Sequence, residues 1–263
     1  MYMQSRIFTL TYNDIRLRIS SKLRESGGDL IFFIHGLGCA KEHFDEVWDV
    51  DRLKKYSILT FDLPGFGDSS KPDNFSYDLQ DHVGICAGLL SIFPGRRVHI
   101  VGHSMGGAIG LLLTDLIQAR LKSFINVEGN LTSHDSTVSR RQSSATLEEF
   151  ETKELPGLLL ITSLSPEPGT RLWSRLIKKA GTKSFYLSSR SLVHWSDSGI
   201  LLEKFKNLKC KKIYVYGESD SFLKILTLLD EISTVSIPRS GHFPMNDNPE
   251  KFYSFLADFI QDA

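Results

Sequence analysis

The stretch Gly102-His103-Ser104-Met105-Gly106-Gly107 decides how this chain is read. It follows Val98 to Val101, a short and largely apolar run, and it opens Met105 to Ile117, which is apolar almost all round. The first pattern is that of a strand covered on both faces, the second that of a helix buried on most sides. A serine at such a sharp strand-to-helix turn is forced into a strained backbone that lifts its hydroxyl clear of the sheet. Glycines two before and two after it let neighbouring backbone pass closely. The helix beneath the serine points amide groups and the positive end of its dipole at any negative charge that develops there. A Gly-x-Ser-x-Gly string alone is common; its place between strand and helix makes Ser104 a candidate nucleophile.

Working outward, Leu30 to Ile34, Ile58 to Phe61, Phe124 to Val127, Ile213 to Tyr216 and Val235 to Ile237 are further short apolar runs, expected as central parallel strands. Ile7 to Leu10 and the alternating Ile15, Leu17 and Ile19 flank a turn-prone Asn13-Asp14 and predict an antiparallel N-terminal pair. Helical spacing recurs at Phe44, Val47 and Trp48, and again at Leu79, Val83, Cys86, Ala87 and Leu90. Near the C-terminus Asn248 can cap a helix, Pro249 suits its first position, and Phe252, Phe255, Leu256, Phe259 and Ile260 form one stripe. Strands alternating with helices imply an α/β sheet covered on both sides.

Two glycine-rich turns follow strands of this sheet. In His35-Gly36-Leu37-Gly38 the glycines allow a backbone N–H, that of Leu37, to face the serine and join the N–H of Met105 in an oxyanion hole. His35 itself is expected to hydrogen-bond loop backbone. The second turn is Asp62-Leu63-Pro64-Gly65-Phe66-Gly67-Asp68-Ser69. With these two turns and the GHSMGG stretch in this order, the chain resembles the α/β-hydrolase superfamily over residues 1 to 130 and again 200 to 263. The resemblance implies an α/β-hydrolase fold, a mostly parallel eight-stranded sheet with helices on both faces and an inserted helical cap. It assigns Asp62 and Asp68 a loop-shaping role.

The same resemblance supplies partners for the serine. His242, in Ser240-Gly241-His242-Phe243-Pro244 after the last strand, stands where the family carries its histidine. A neutral imidazole there can take the proton of Ser104. For the acid that orients the imidazole two positions compete: Asp220, in the Gly217-Glu218-Ser219-Asp220 turn where the family most often places it, and Glu128, a position used in some branches. Asp220 is the expected residue, which gives Ser104, Asp220 and His242 as the triad, with Leu37 and Met105 at the substrate carbonyl.

Residues 131–198 break the rhythm of strand and helix with a polar stretch and several prolines, yet carry Trp173, Leu176, Ile177, Phe185, Tyr186 and Trp195. That much apolar area argues for a folded cap over a core formed by 1–130 and 199–263. Its apolar content suggests a pocket for a small or medium acyl or alcohol group. The expected reaction is hydrolysis of a carboxylic ester or thioester through an acyl-enzyme. Carbon-carbon bond hydrolysis or lyase chemistry on the same triad, and a ligand receptor with a slow triad, are the alternatives.

Composition narrows the rest. The 263 residues are 41% hydrophobic, enough for one large core, and 31 Lys plus Arg balance 31 Asp plus Glu, which disfavours a polyanionic partner such as nucleic acid. Arg140, Arg141, Lys178 and Lys179 could nonetheless select an acidic substrate locally at the cap. Three cysteines without paired spacing suit reduced thiols, and with no signal-peptide pattern a cytoplasmic location is expected. No apolar run approaches the length of a membrane span. No phosphate loop, dinucleotide fingerprint or clustered metal ligands appear, so no cofactor is implied and the expected partner is a small-molecule substrate, with the protein acting as a monomer or homodimer.

Overall fold

The computed structural model describes residues 2–263. Its centre is an eight-stranded sheet: β1 (Gln4–Tyr12), β2 (Ile15–Arg24), β3 (Leu30–Ile34), β4 (Ser57–Phe61), β5 (Val98–His103), β6 (Leu121–Val127), β7 (Lys211–Gly217) and β8 (Thr234–Ile237). They lie in the order β1-β2-β4-β3-β5-β6-β7-β8. β1 and β2 pair antiparallel, as do β2 and β4, while β3 through β8 run parallel. Asn13 and Asp14 close the N-terminal hairpin at φ 47° and 63°, the left-handed conformation that a two-residue loop between right-twisted strands requires.

Alternation along each strand divides the apolar residues between two layers. Leu30, Phe32 and Ile34 of β3 face one side with Val98 and Ile100 of β5; α1 (Leu79–Ser91), α2 (Met105–Ile117) and α8 (Ile200–Asn207) cover that side. Ile31 and Phe33 face the other, with Val101, Ile125 and Val215, under α10 (Pro249–Gln261) and the turns over Lys41–Asp49. Five strands are buried at every position or nearly so, which is why they read as continuous apolar runs. The Asn248 side chain accepts a hydrogen bond from the Lys251 N–H at the start of α10, and Pro249 occupies its first turn.

The chain between β6 and β7 holds α3 (Thr137–Ser144), α4 (Leu147–Glu149), a π-helical turn (Phe150–Glu154), α5 (Leu155–Ser163), α6 (Pro168–Ile177) and α7 (Thr182–Asp197), before α8 returns to pack on α2. Phe150 stacks on Phe185 and packs at a tilt against Tyr186 inside this layer. α6 opens on Pro168, and α7 is a long helix that apolar spacing alone did not reveal. Its buried positions are mostly serines, with Phe185, Tyr186 and Leu192 among them. Ser184 Oγ donates to the Gly65 carbonyl (2.9 Å), Ser188 Oγ to that of Tyr77 (3.1 Å), and Ser191 Oγ to Asp78 (2.8 Å) while accepting from the Leu79 N–H (3.0 Å). These bonds tie α7 to the loops above β4 and to the start of α1.

Two expectations change. Phe44, Val47 and Trp48 lie on successive 3-10 turns with a kink at Phe44, not on a regular helix. The basic residues offered for an acidic substrate are largely committed elsewhere: Arg140 pairs with Asp197, Arg141 with Glu154 (2.8 Å), and Lys179 with Asp68 (3.3 Å) and Glu42 (3.7 Å).

Asp62 and Asp68 have structural surroundings. Asp62, with no exposed surface, accepts the backbone N–H groups of Lys41 and Asp68 (both 2.8 Å) and pairs with Lys41 Nζ at 2.7 Å; Asp68 meets the same ammonium at 3.0 Å. Burial works against the Lys41 charge, but the contacts with Asp62, Asp68 and Glu42 outweigh it and hold the lysine above its ordinary pKa. Substituting Lys41→Met would remove the cation from the buried Asp62 and leave it only its two amide donors. We expect a loss of about 3 kcal/mol or more in unfolding free energy, read by denaturant titration; a loss below about 1 kcal/mol would show that the pair contributes little.

Candidate active site

Ser104 sits at φ 52°, ψ −121°, between the end of β5 and the first residue of α2. A non-glycine residue held in that region of backbone space costs on the order of 1–3 kcal/mol and persists only where its neighbours over-determine it. Here they do. The Ser104 N–H donates to the Val127 carbonyl of β6 (3.0 Å), and the Ser104 carbonyl accepts from Gly107 N–H (2.8 Å). The glycines are required by proximity: a Cβ on Gly106 would fall 2.1 Å from the Ile34 carbonyl oxygen, and one on Gly102 2.6 Å from that of Gly106.

The His35–Gly38 turn closes against this elbow. A Cβ on Gly36 would lie 3.0 Å from that of Ser104. His35 is buried; its Nδ1–H donates to the Gly36 carbonyl (2.8 Å) and its Nε2 accepts from Leu63 N–H (3.0 Å), which fixes one tautomer. Burial lowers its pKa and keeps it neutral. Leu37 is thereby held beside Ser104, and both line one cavity. Among the described residues, neither the Leu37 N–H nor the Met105 N–H has a hydrogen-bond acceptor. Sequence reasoning missed a further contact: Trp173 of α6 donates its Nε1–H to the Leu37 carbonyl (2.8 Å). Gly38 makes room for that indole, at φ 68°.

His242 lies in the loop after β8, its side chain 43% exposed into the same cavity. Its Nδ1–H donates to Glu128 Oε2 at 2.8 Å. The other carboxylate oxygen of Glu128 accepts the Gly217 N–H at 2.7 Å. Asp220, expected at this imidazole, is therefore displaced from it: it ends a short turn after β7 and faces Glu128. The reason lies in side-chain reach and strand order. β6 and β7 are neighbours, with Val127 beside Val215, so a glutamate leaving β6 spans the end of β7 and reaches the ring first. Glu128 takes φ 45° to do so. That a second strained residue stands one step past a strand end is a signal the sequence did not expose.

The electrostatics follow from these contacts. Partial burial opposes protonation of His242, but the Glu128 hydrogen bond and charge, with Asp220 and Glu167 nearby, carry its pKa above the ordinary value of 6.5. His103, next to the nucleophile, is buried and pushed well below that value, first by burial and then by His242 and His43. It stays neutral and donates Nε2–H to the His242 carbonyl (2.9 Å), which pins the loop.

The cavity has a volume of about 460 Å³, within the range typical of small-molecule sites. Leu37, Trp173, Leu192, Leu223 and Phe243 give it apolar walls, and Ser104, His242 and Glu128 line it with them. Among the described residues no group of three or more His, Cys, Asp or Glu is placed to hold a metal ion. No described helix is long and apolar enough to cross a membrane.

Comparison with known proteins places this geometry. The chain is 35% identical over 255 residues to the uncharacterized hydrolase YugF of Bacillus subtilis, covering 89% of this chain and 91% of that one. It is 23% identical over 252 residues to the putative esterase/lipase 2 of Mycoplasma genitalium, covering 89% and 90%. Its backbone superposes on a thermophilic esterase from Thermogutta terrifontis with a TM-score of 0.78 at 16% identity, over 98% of each chain. A sequence model described as the alpha/beta hydrolase family matches residues 31–255, and the chain belongs to that family.

Proposed function

We propose that this protein is a serine hydrolase that cleaves a small or medium, largely apolar carboxylic ester or thioester through an acyl-enzyme on Ser104. The observation that carries the proposal is the pairing of a strained, glycine-walled serine with a histidine already oriented by a buried carboxylate in one apolar cavity. Relatives named esterase/lipase and hydrolase support the same class of reaction.

His242 Nε2, left free by the Nδ1–H bond to Glu128, takes the proton of Ser104 as the hydroxyl attacks the substrate carbonyl. The Leu37 and Met105 amides hold the oxyanion, with the α2 N-terminus beneath it. The imidazolium then gives its proton to the leaving alcohol or thiol. Water then attacks the acyl carbonyl, losing a proton to His242; the acyl–Ser104 bond breaks, the imidazolium returns its proton to the serine oxygen, and the acid leaves. Glu128 keeps the ring in the right tautomer and stabilises the imidazolium, the role assigned to Asp220 from the sequence. Residues 131–198 act as a lid whose apolar residues line the acyl or alcohol subsite.

A fluorophosphonate probe should add once to the intact protein, by mass spectrometry, and not to Ser104→Ala; labelling of that variant would remove Ser104 as nucleophile. Across p-nitrophenyl esters of graded chain length, short and medium acyl groups should be turned over best, and activity should fall steeply once the chain outgrows the cavity. Glu128→Gln should lower kcat by about 10³- to 10⁴-fold, by analogy with loss of the acid in serine proteases. Because His242 must be neutral in the free enzyme and its pKa is raised, kcat/KM should decline as pH falls through a value above 6.5. An acid limb centred below 6 would contradict the Glu128–His242 contact.

A further inference from the structure

One carboxylate joins the histidine loop to the helices inserted between β6 and β7. Asp247 ends the short helix α9 (Pro244–Asp247); its Oδ1 accepts the Gly169 N–H (2.8 Å) and its Oδ2 the Gly241 N–H (3.1 Å). Gly241 directly precedes His242, and Gly169 lies in the first turn of α6. The first N–H groups of a helix have no partner inside it and need an outside acceptor. Glu167, the residue before α6, makes no such bond with its side chain. An open donor of α6 is instead met by a carboxylate 78 residues further along the chain, at the positive end of the helix. The approach is close enough to exclude side chains. A Cβ on Gly169 would fall 2.2 Å from Phe243 Cβ, and one on Gly241 2.6 Å from Glu167 Oε1. The start of α6 thus presses on the residues to either side of His242.

We infer that Asp247 is a positioning residue: by bonding the histidine loop to the first turn of α6 it sets where His242 stands relative to Ser104. The inference rests on His242 being the base of the proposed reaction. The Glu128 bond fixes the tautomer and rotation of the ring, but the backbone that carries the ring must be held as well. His103 Nε2–H holds it at the His242 carbonyl (2.9 Å), and Asp247 holds it at the N–H one residue before. A displacement of about 1 Å in a group that must take a proton costs on the order of 10²-fold in rate. Asp247 does not line the cavity, so it acts only through these bonds. α6 is tied again one turn on, where Trp173 donates to the Leu37 carbonyl (2.8 Å). One helix therefore carries the bonds that fix both the histidine loop and the turn beside the serine.

Asp247→Ala removes both acceptors, and Asp247→Asn keeps one, because an amide offers a single oxygen. Both are assayed on a p-nitrophenyl ester, with working sites counted by fluorophosphonate labelling taken to completion. In Asp247→Ala, kcat per labelled site should fall by roughly 10- to 100-fold, with KM within about threefold of the parent, and Asp247→Asn should lose less. A carboxylate that only stabilised α6 would lower the melting temperature or the number of labelled sites and leave kcat per site at the parent value; that result overturns the inference, as does a raised KM with kcat kept. Should Asp247→Ala not fold, Asp247→Asn decides, and a parent-like kcat per site overturns the inference. A second measurement needs no turnover. The downfield proton resonance of His242 Nδ1–H, identified by its loss in His242→Gln, should broaden or vanish in Asp247→Asn. If it is unchanged the inference fails, even where ester hydrolysis is found. If it responds while the parent cleaves no ester, the positioning stands and the proposed function fails.

Discussion

The closest constraint in this molecule is steric. Helix α2 starts so near the carboxyl ends of β3 and β5 that no side chain fits at Gly106 or Gly102, and this approach holds Ser104 in its left-handed backbone. The position of every other functional group is set relative to that contact. The sheet supplies the Val127 carbonyl that fixes the serine's own N–H, the His35–Gly38 turn presses on it from β3, and the ends of β6 and β7 bring in the carboxylates. Strain at one residue is tolerated because two buried layers on opposite faces of the sheet prevent the backbone from relaxing.

What the sequence makes legible is local. Continuous apolar runs announce strands with covers on both faces, and Met105 to Ile117 coincides with α2 because its ends carry their own signals: the elbow before and polar residues after. The elbow and the histidine loop are readable because each is a short string whose chemistry depends on immediate neighbours. The acid is different. Choosing between Glu128 and Asp220 requires knowing how far two adjacent strands extend and which side chain spans the gap, a property of strand register that neither string contains. Helix α7 escapes for a related reason. Its buried positions mix serines with Phe185, Tyr186 and Leu192, and Ser184, Ser188 and Ser191 bond to groups far along the chain, so the apolar period that marks a helix is diluted.

Charge shows the same division between average and place. The chain is neutral in total, yet Arg140, Arg141 and Lys179 are engaged in ion pairs, while Glu128, Asp135 and Asp220 line the cavity. The molecule thus separates two uses of ionic contacts. Exposed pairs such as Arg141–Glu154 contribute little individually. The buried Lys41–Asp62 pair, met by the more exposed Asp68, holds the turn after β4 in shape.

The single hydrogen bond from the Trp173 indole to the Leu37 carbonyl joins two parts of the molecule that have different duties. Trp173 belongs to the helices between β6 and β7, and Leu37 to the turn beside Ser104; both line the cavity. One indole thus bounds the space in front of the serine and fixes the backbone of the turn facing it, so a substitution that reshapes this wall also unties that turn.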